Sequence, residues 1–377
     1  MTGALYIHIP FCRRRCGYCD FYSTVCADES IQSATVERII QQAELIAERF
    51  SPTLSSVYIG GGTPSALPLP ILERLFNALG RLFTLSAECE VTVEANPETS
   101  GEAFLRFLKT TPVNRLSLGI QSFDDRVLRL LGRDSSRRTA LKAVERAAAN
   151  GPARLNLDFI SEIPGVSEAL TACDIRTAAS FRPSHISVYA LSVPEGSALE
   201  KRLAGREISS CVEEAFNEAA AFGYERYEIS NCALPGGESR HNLAYWRMEP
   251  FWGCGPSASG TFPNETGRVC RREGVSPLEA FLSAEPEKSW TEEILTPRDL
   301  LFETVMMGCR LKEGIALDDF YRKTGRVLRD AAPKTVAGAL KAGLFREENG
   351  RFLPTAEGWR WLNRFLVDFL SELDSTL

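Results

Sequence analysis

The sequence predicts an α/β fold: a partial (β/α)6 barrel, then a loop-rich extension, then a small helical, winged-helix-like C-terminal domain. Three observations carry this prediction. Six short β-forming runs recur at intervals of about 25 to 50 residues, each followed by a helix-patterned stretch. That spacing leaves room for right-handed crossovers and therefore for a parallel sheet. After Leu191 the alternation fades, and near the C-terminus helical patterns return around two short runs joined by Asn349-Gly350.

Taken in order, the candidate strands are 4–9 (ALYIHI), 56–61 (SVYIGG), 89–95 (CEVTVEA), 115–121 (RLSLGIQ), 154–160 (RLNLDFI) and 185–191 (HISVYAL). Helical patterns such as Gln32–Phe50, Pro70–Phe83 and Arg137–Ala149 lie between them. Six βα units in series predict a parallel sheet curved as an open barrel; a full (β/α)8 barrel would need two more. Residues 223–262 are rich in Gly, Pro, Asn and aromatics and read as an ordered functional loop region. A polar stretch around Glu285–Pro297 reads as a linker. Beyond it come helical patterns at Asp299–Leu311, Leu317–Lys323 and Thr335–Ala342, then two short strands about Asn349-Gly350. The expected division is a core over 1–230, a loop-rich extension over 231–285 and a C-terminal domain over 298–377.

Composition narrows the function classes. Hydrophobic residues make up 44% of the 377 and charged residues 24%, with a net charge of −6, which argues against a broad nucleic-acid face or a polybasic membrane patch. The first residues lack a basic segment followed by an apolar run, and no stretch approaches the roughly 20 apolar residues of a membrane span. A cytoplasmic protein with no nucleic-acid partner is expected.

Eleven cysteines are present. An odd number in a long chain without an export signal argues against a disulfide framework. Three of them stand together directly after the first strand, in Cys12-Arg13-Arg14-Arg15-Cys16-Gly17-Tyr18-Cys19-Asp20-Phe21. Loops at the C-terminal ends of barrel strands are where such folds place their chemistry. Three thiolates this close can wrap one face of a [4Fe–4S] cubane, and the adjacent arginines favour the thiolate form. A structural zinc site needs four donors in a closed tetrahedron, and the remaining candidates, His8 and Cys26, form no second tight pair. A cubane on three cysteines leaves one iron without a protein ligand.

The second strand ends in Gly60-Gly61-Gly62-Thr63-Pro64-Ser65, whose glycines permit close backbone approach and expose amides. Later strand ends supply Glu94, Gln121 and Asp158, and Arg133 follows the fourth strand. The C-x3-C-x2-C spacing after strand one resembles the radical S-adenosylmethionine (SAM) superfamily, in which the open iron binds the amino and carboxyl groups of SAM. The strings YIHIPFC, YIGGGTPS, VEANPE, RLSLGIQSFDD, YEISN and RHNLAYW resemble the branch containing oxygen-independent coproporphyrinogen III oxidase and the HemW-type heme chaperones. This resemblance implies a radical SAM core with Tyr6, Tyr18, Gly61, Gly62, Thr63, Glu94, Gln121, Arg133, Asp158 and Ala190 around SAM, and Cys12, Cys16 and Cys19 on the cluster.

Two features separate the branches. Where the oxidase resemblance would place a fourth cysteine this chain has Phe21, and His241-Asn242-Leu243-Ala244-Tyr245 resembles the H-N-x-x-Y motif tied to heme binding in the chaperones. The chain has three histidines. His8 falls inside strand one and His185 opens strand six, whereas His241 reads as a loop residue beside Tyr245, Trp246, Phe251 and Trp252. An imidazole can ligate heme iron and flat aromatics pack on a macrocycle; the plainer alternative is a loop histidine bonded to backbone. The resemblance implies that His241 and Tyr245 contact heme. It implies a heme chaperone that passes heme to an acceptor protein, with transient contact to membrane hemoproteins. The alternative is a coproporphyrinogen III oxidase of porphyrin metabolism. The chain departs from the family at Ser135, where a histidine is usual, and at Ser161-Glu162, where Tyr-Gly is usual.

Overall fold

The computed structural model of the chain describes residues 1–208 and 211–376. All six expected strands form: β1 (Thr2–Ile9), β2 (Thr53–Gly61), β3 (Thr84–Ala95), β4 (Arg115–Gln121), β5 (Arg154–Ser161) and β6 (His185–Ala190). Each pairs in parallel with the next. Helices Glu29–Phe50, Leu69–Leu82 and Arg137–Asn150 cover the connections where their apolar periodicity placed them. β3 begins five residues before the expected start, because Thr84–Glu88 is a half-exposed lead-in without an alternating pattern.

The extension over 231–285 is more regular than its composition suggested. After β7 (Glu225–Glu228) and β8 (Asn231–Ala233) comes helix Arg240–Trp246, then β9 (Phe251–Cys254), β10 (Ser259–Pro263) and β11 (Val269–Gly274). β12 (Trp290–Ile294) occupies the segment read as a linker. The twelve strands form one sheet in the order β12-β11-β10-β9-β1-β2-β3-β4-β5-β6-β8-β7. β9 pairs in parallel with β1 and so adds a seventh parallel strand; the outer strands pair antiparallel. β12 looked like a linker because it is an edge strand whose residues 291–294 face solvent.

The core holds these parts together. Trp252 on β9 is fully buried and stacks on Phe262, with Phe50 tilted against Trp252 and edge-on to Phe262. Gln42, buried in the first helix, accepts from Gly255 N and donates to Ser289 Oγ, stitching the extension to the barrel. The C-terminal segment has its own core, in which Phe345, Phe352, Phe365 and Phe369 stack. Its hairpin, Phe345–Glu348 with Arg351–Pro354, turns at Asn349 and Gly350 with φ of 52° and 72°, as the Asn-Gly signal predicts. Arg226 lies between the rings of Phe216 and Trp359 and joins this segment to the barrel.

Charges close the N-terminal end of the barrel. Arg115, the first residue of β4, pairs with Glu90 at 2.9 Å, and both side chains are buried. Arg154, the first residue of β5, joins Glu90 at 3.3 Å. Arg115 also donates to the carbonyls of Gly237 and Glu238, and Glu90 accepts from His241 N, so the turn before helix Arg240–Trp246 is clamped to the barrel floor. Removing one partner of a buried pair leaves an uncompensated charge, which costs about 3–5 kcal/mol. Glu90→Ala is therefore expected to lower the unfolding free energy by about that amount in urea titration; a loss below about 1 kcal/mol contradicts the clamp.

Candidate SAM and cluster site at the barrel mouth

The three cysteines follow β1 on a loop that begins with Phe11 and Cys12 and is held near its other end by pairing of Phe11–Cys12 with Thr24–Val25. Cys12, Cys16 and Cys19 are half-buried free thiols. The glycine run is zipped to them: Gly62 N donates to Ile9 O and Thr63 N to Phe11 O. A Cβ on Gly62 would fall within 2.8 Å of the Phe11 and Ile9 backbone, and Gly61 has φ of 102°, where an added Cβ would meet the ring of His8. These glycines therefore serve close packing as well as any ligand.

Side chains then converge on the sulfurs. Thr63 Oγ1 lies 3.5 Å from Cys12 Sγ, and Arg133 Nη1 3.5 Å from Cys16 Sγ. Asn96 connects the two, donating to Thr63 Oγ1 at 3.0 Å and accepting from Arg133 Nη2 at 2.9 Å. Asn96 was not singled out from the sequence, although it stands in the VEANPE string two residues after Glu94. Burial pushes the thiols of Cys12 and Cys19 up, while Thr63 and Arg133 pull Cys12 back and Arg15 opposes the rise at Cys19.

A shallow open cleft borders this network, lined by Arg13, Arg14, Cys16, Asn96, Glu98 and Arg133 among others. Among the described residues, Arg133 Nε and Glu98 Oε1 are buried without a hydrogen-bond partner. An orphaned guanidinium N–H beside three thiols fits a site that receives an anionic cluster and a ligand carboxylate. Among the described residues no three His, Cys, Asp or Glu side chains converge on a single ion position.

Two carboxyls face the same interior. Glu94 accepts from Tyr58 OH at 2.6 Å and from Gly61 N at 3.0 Å, and burial raises it to about 7. Asp158 accepts from Ser117 and Asn156, and burial raises it also. Gln121 closes β4 in the left-handed region, with φ of 69°, and Ala190 closes β6 exposed at the rim. Tyr18 lies in the cluster loop near Arg133, with its hydroxyl raised by burial. Tyr6 lies lower on β1 and donates to His8 Nδ1; His8 Nε2 then donates to Tyr22 O, tying the strand to the far end of the cluster loop.

The structure brings the cysteines, Gly61, Gly62, Thr63, Glu94, Gln121, Arg133 and Ala190 to one end of the sheet, with Tyr6 and Asp158 at mid-strand in the interior below. It does not bring His241 and Tyr245 there. His241 lies in a helix, not a loop, because Ser239 caps Arg240–Trp246 by accepting from Asn242 N. Its ring is 1% exposed; Nδ1 is bonded to Ser56 Oγ at 2.9 Å and Nε2 to Tyr245 OH at 2.7 Å. Neither nitrogen is open to an iron in this arrangement, and burial lowers the ring to about 3. Glu162 has φ of 54°, which accounts for glycine at that place in the family pattern.

Residues 6–169 match the radical SAM superfamily and residues 295–361 the HemN C-terminal domain. Heme chaperone HemW of Bacillus subtilis is 32% identical, with 98% of this chain and 99% of the relative covered. Heme chaperone HemW of Escherichia coli K12 is 31% identical, with 98% of each covered. This chain belongs to the HemW family of radical SAM proteins. Its fold is also that of coproporphyrinogen III oxidase (HemN) from Escherichia coli, with a TM-score of 0.82 at 20% identity over 100% of this chain and 90% of that one. Among the described residues no helix is long and apolar enough to cross a membrane.

Glu94 gives a pH test of the apo protein. Its folded-state value, about 7, lies above its ordinary 4.5. The protonated form therefore suits the fold, and its contribution is complete below about 4.5 and lost as pH rises through 7. The span corresponds to roughly 3 kcal/mol. Glu94→Gln, which cannot ionise, is expected to flatten the fall in stability between pH 5 and 7.5 in urea titrations. An unchanged slope contradicts the assignment.

Proposed function

We propose that this HemW-family chain is a heme chaperone carrying a [4Fe–4S] cluster on Cys12, Cys16 and Cys19, with SAM on the open iron. The observation that supports it most is the converging shell at the mouth: three half-buried thiols, two of them held by Thr63 and Arg133, with an unpartnered Arg133 Nε alongside. When bound, the cluster supplies an electron to SAM. The chain's own residues hold and orient the ligand. Arg133, with its open Nε–H, favours a carboxylate. Glu94 and Asp158 accept from amino and hydroxyl groups, and Tyr6, Tyr18, Gln121 and Ala190 shape the remaining wall. Thr63 and Arg133 steady the sulfurs by donating to them, as outer partners do in metal sites generally.

Heme is cargo in this reading, bound by the chain and passed to an acceptor protein in the cytoplasm or to hemoproteins met transiently at a membrane. Phe21, where the oxidase resemblance expects a fourth cysteine, supports the chaperone over the oxidase. The segment 298–377 is taken as a separate unit.

Anaerobically reconstituted protein is expected to hold about four iron and four sulfide per chain. Cys12→Ala, Cys16→Ala and Cys19→Ala are each expected to abolish this, and Cys26→Ala to leave it intact. The same preparation should give a saturable Soret shift at micromolar hemin and form no protoporphyrinogen from coproporphyrinogen III. Zinc in place of iron, or turnover of that substrate, contradicts the proposal.

A further inference from the structure

Helix Arg240–Trp246 occupies the end of the barrel opposite the cysteines. Ser56, which bonds His241, lies five residues before the end of β2, about 16 Å below the mouth at the usual rise per residue. Around the helix stand the charges that open β4 and β5, and Arg115 grips the carbonyls of Gly237 and Glu238. In barrels of this kind the N-terminal end serves stability and the C-terminal end chemistry. The H-N-x-x-Y motif lies at the stability end.

From there it reaches upward through rings. Tyr58 stacks on His241, with centroids 5.0 Å apart and planes 28° apart, and Tyr58 OH donates to Glu94 at the mouth. Tyr6 leans on both rings, at 6.5 Å from His241 and 6.2 Å from Tyr58. Its hydroxyl holds His8, whose ring lies under Gly61 and whose other nitrogen holds the cluster loop. Tyr245 completes the stack by bonding His241 and packing on Phe251 of β9. A neutral imidazole fixed on both nitrogens therefore supports two tyrosines, and each tyrosine ends in a part of the SAM pocket.

We infer that His241 and Tyr245 are positioning residues for the SAM pocket, acting through Tyr58 on Glu94 and through Tyr6 on the Gly61 turn, and are not ligands of heme iron. This rests on the reading that SAM occupies the mouth. It departs from what the motif implies by resemblance, because the ring that would ligate iron is enclosed and doubly bonded.

The test uses cluster-reconstituted full-length protein and two readouts, SAM affinity by calorimetry and the optical and EPR spectra of bound hemin. His241→Ala is expected to weaken SAM by about tenfold, the usual scale for an outer partner, with the iron content kept. Tyr58→Phe should weaken it similarly, and the double variant should lose no more than either single one, because both act through one path. His241→Gln, which can bond Ser56 and Tyr245, should recover part of the loss. At saturating hemin the Soret maximum and EPR signals of His241→Ala should match wild type. Unchanged SAM affinity, additive losses, or a changed heme spectrum restored by free imidazole overturns the inference. Should His241→Ala fail to fold, Tyr245→Phe removes one hydroxyl and is expected to weaken SAM in the same sense. Absence of hemin binding by wild type would defeat the chaperone reading, while the SAM measurements would still decide this one.

Discussion

Glu94 projects into the barrel mouth from the end of β3, and a carboxyl placed there needs donors to remain. Tyr58 OH and Gly61 N supply them, and each donor imposes a further requirement. Gly61 can present its N–H only in the left-handed region and only with no side chain, because His8 fills the space where one would be. Tyr58 can present its hydroxyl only with its ring upright, and His241 beneath it keeps the ring so. One buried acid thus links the glycine turn, the cluster loop and the helix at the opposite end.

Architecture and chemistry separate along the strand axis. At the N-terminal ends the side chains pair off: Glu90 with Arg115 and Arg154, His185 with Asn156 and Tyr227, His241 with Ser56 and Tyr245. The pairing there is incomplete at Arg115 Nη1, which is buried with no partner among the described residues. At the C-terminal ends Thr63 and Arg133 hold two of the thiols, and Arg133 Nε and Glu98 Oε1 lack partners among the described residues.

Local signals made most of the barrel and the cysteine loop legible in the sequence. The six parallel strands announce themselves as branched and aromatic runs, and Cys12, Cys16 and Cys19 by spacing alone. The Asn349-Gly350 turn needs only two residues to be recognised. What escaped depends on distant partners. Phe251–Cys254 is a four-residue strand whose parallel register with Ala4–Ile7 no local pattern reveals. Trp290–Ile294 is polar because it is an edge, which is also how a linker reads. Arg240–Trp246 is too short to show a helical period; the capping Ser239 was the available sign. His241 looked available to a ligand because its occupant partner, Ser56, is 185 residues away in sequence.

The proposed function requires an incompletely ligated cluster whose open iron would take SAM. EPR of the reduced, reconstituted protein tests this most directly. Addition of SAM is expected to change the g values of the cluster signal, and Glu94→Gln to weaken the concentration dependence of that change. A cluster signal indifferent to SAM at every concentration would mean that the open corner is closed by the protein itself, and would contradict the account.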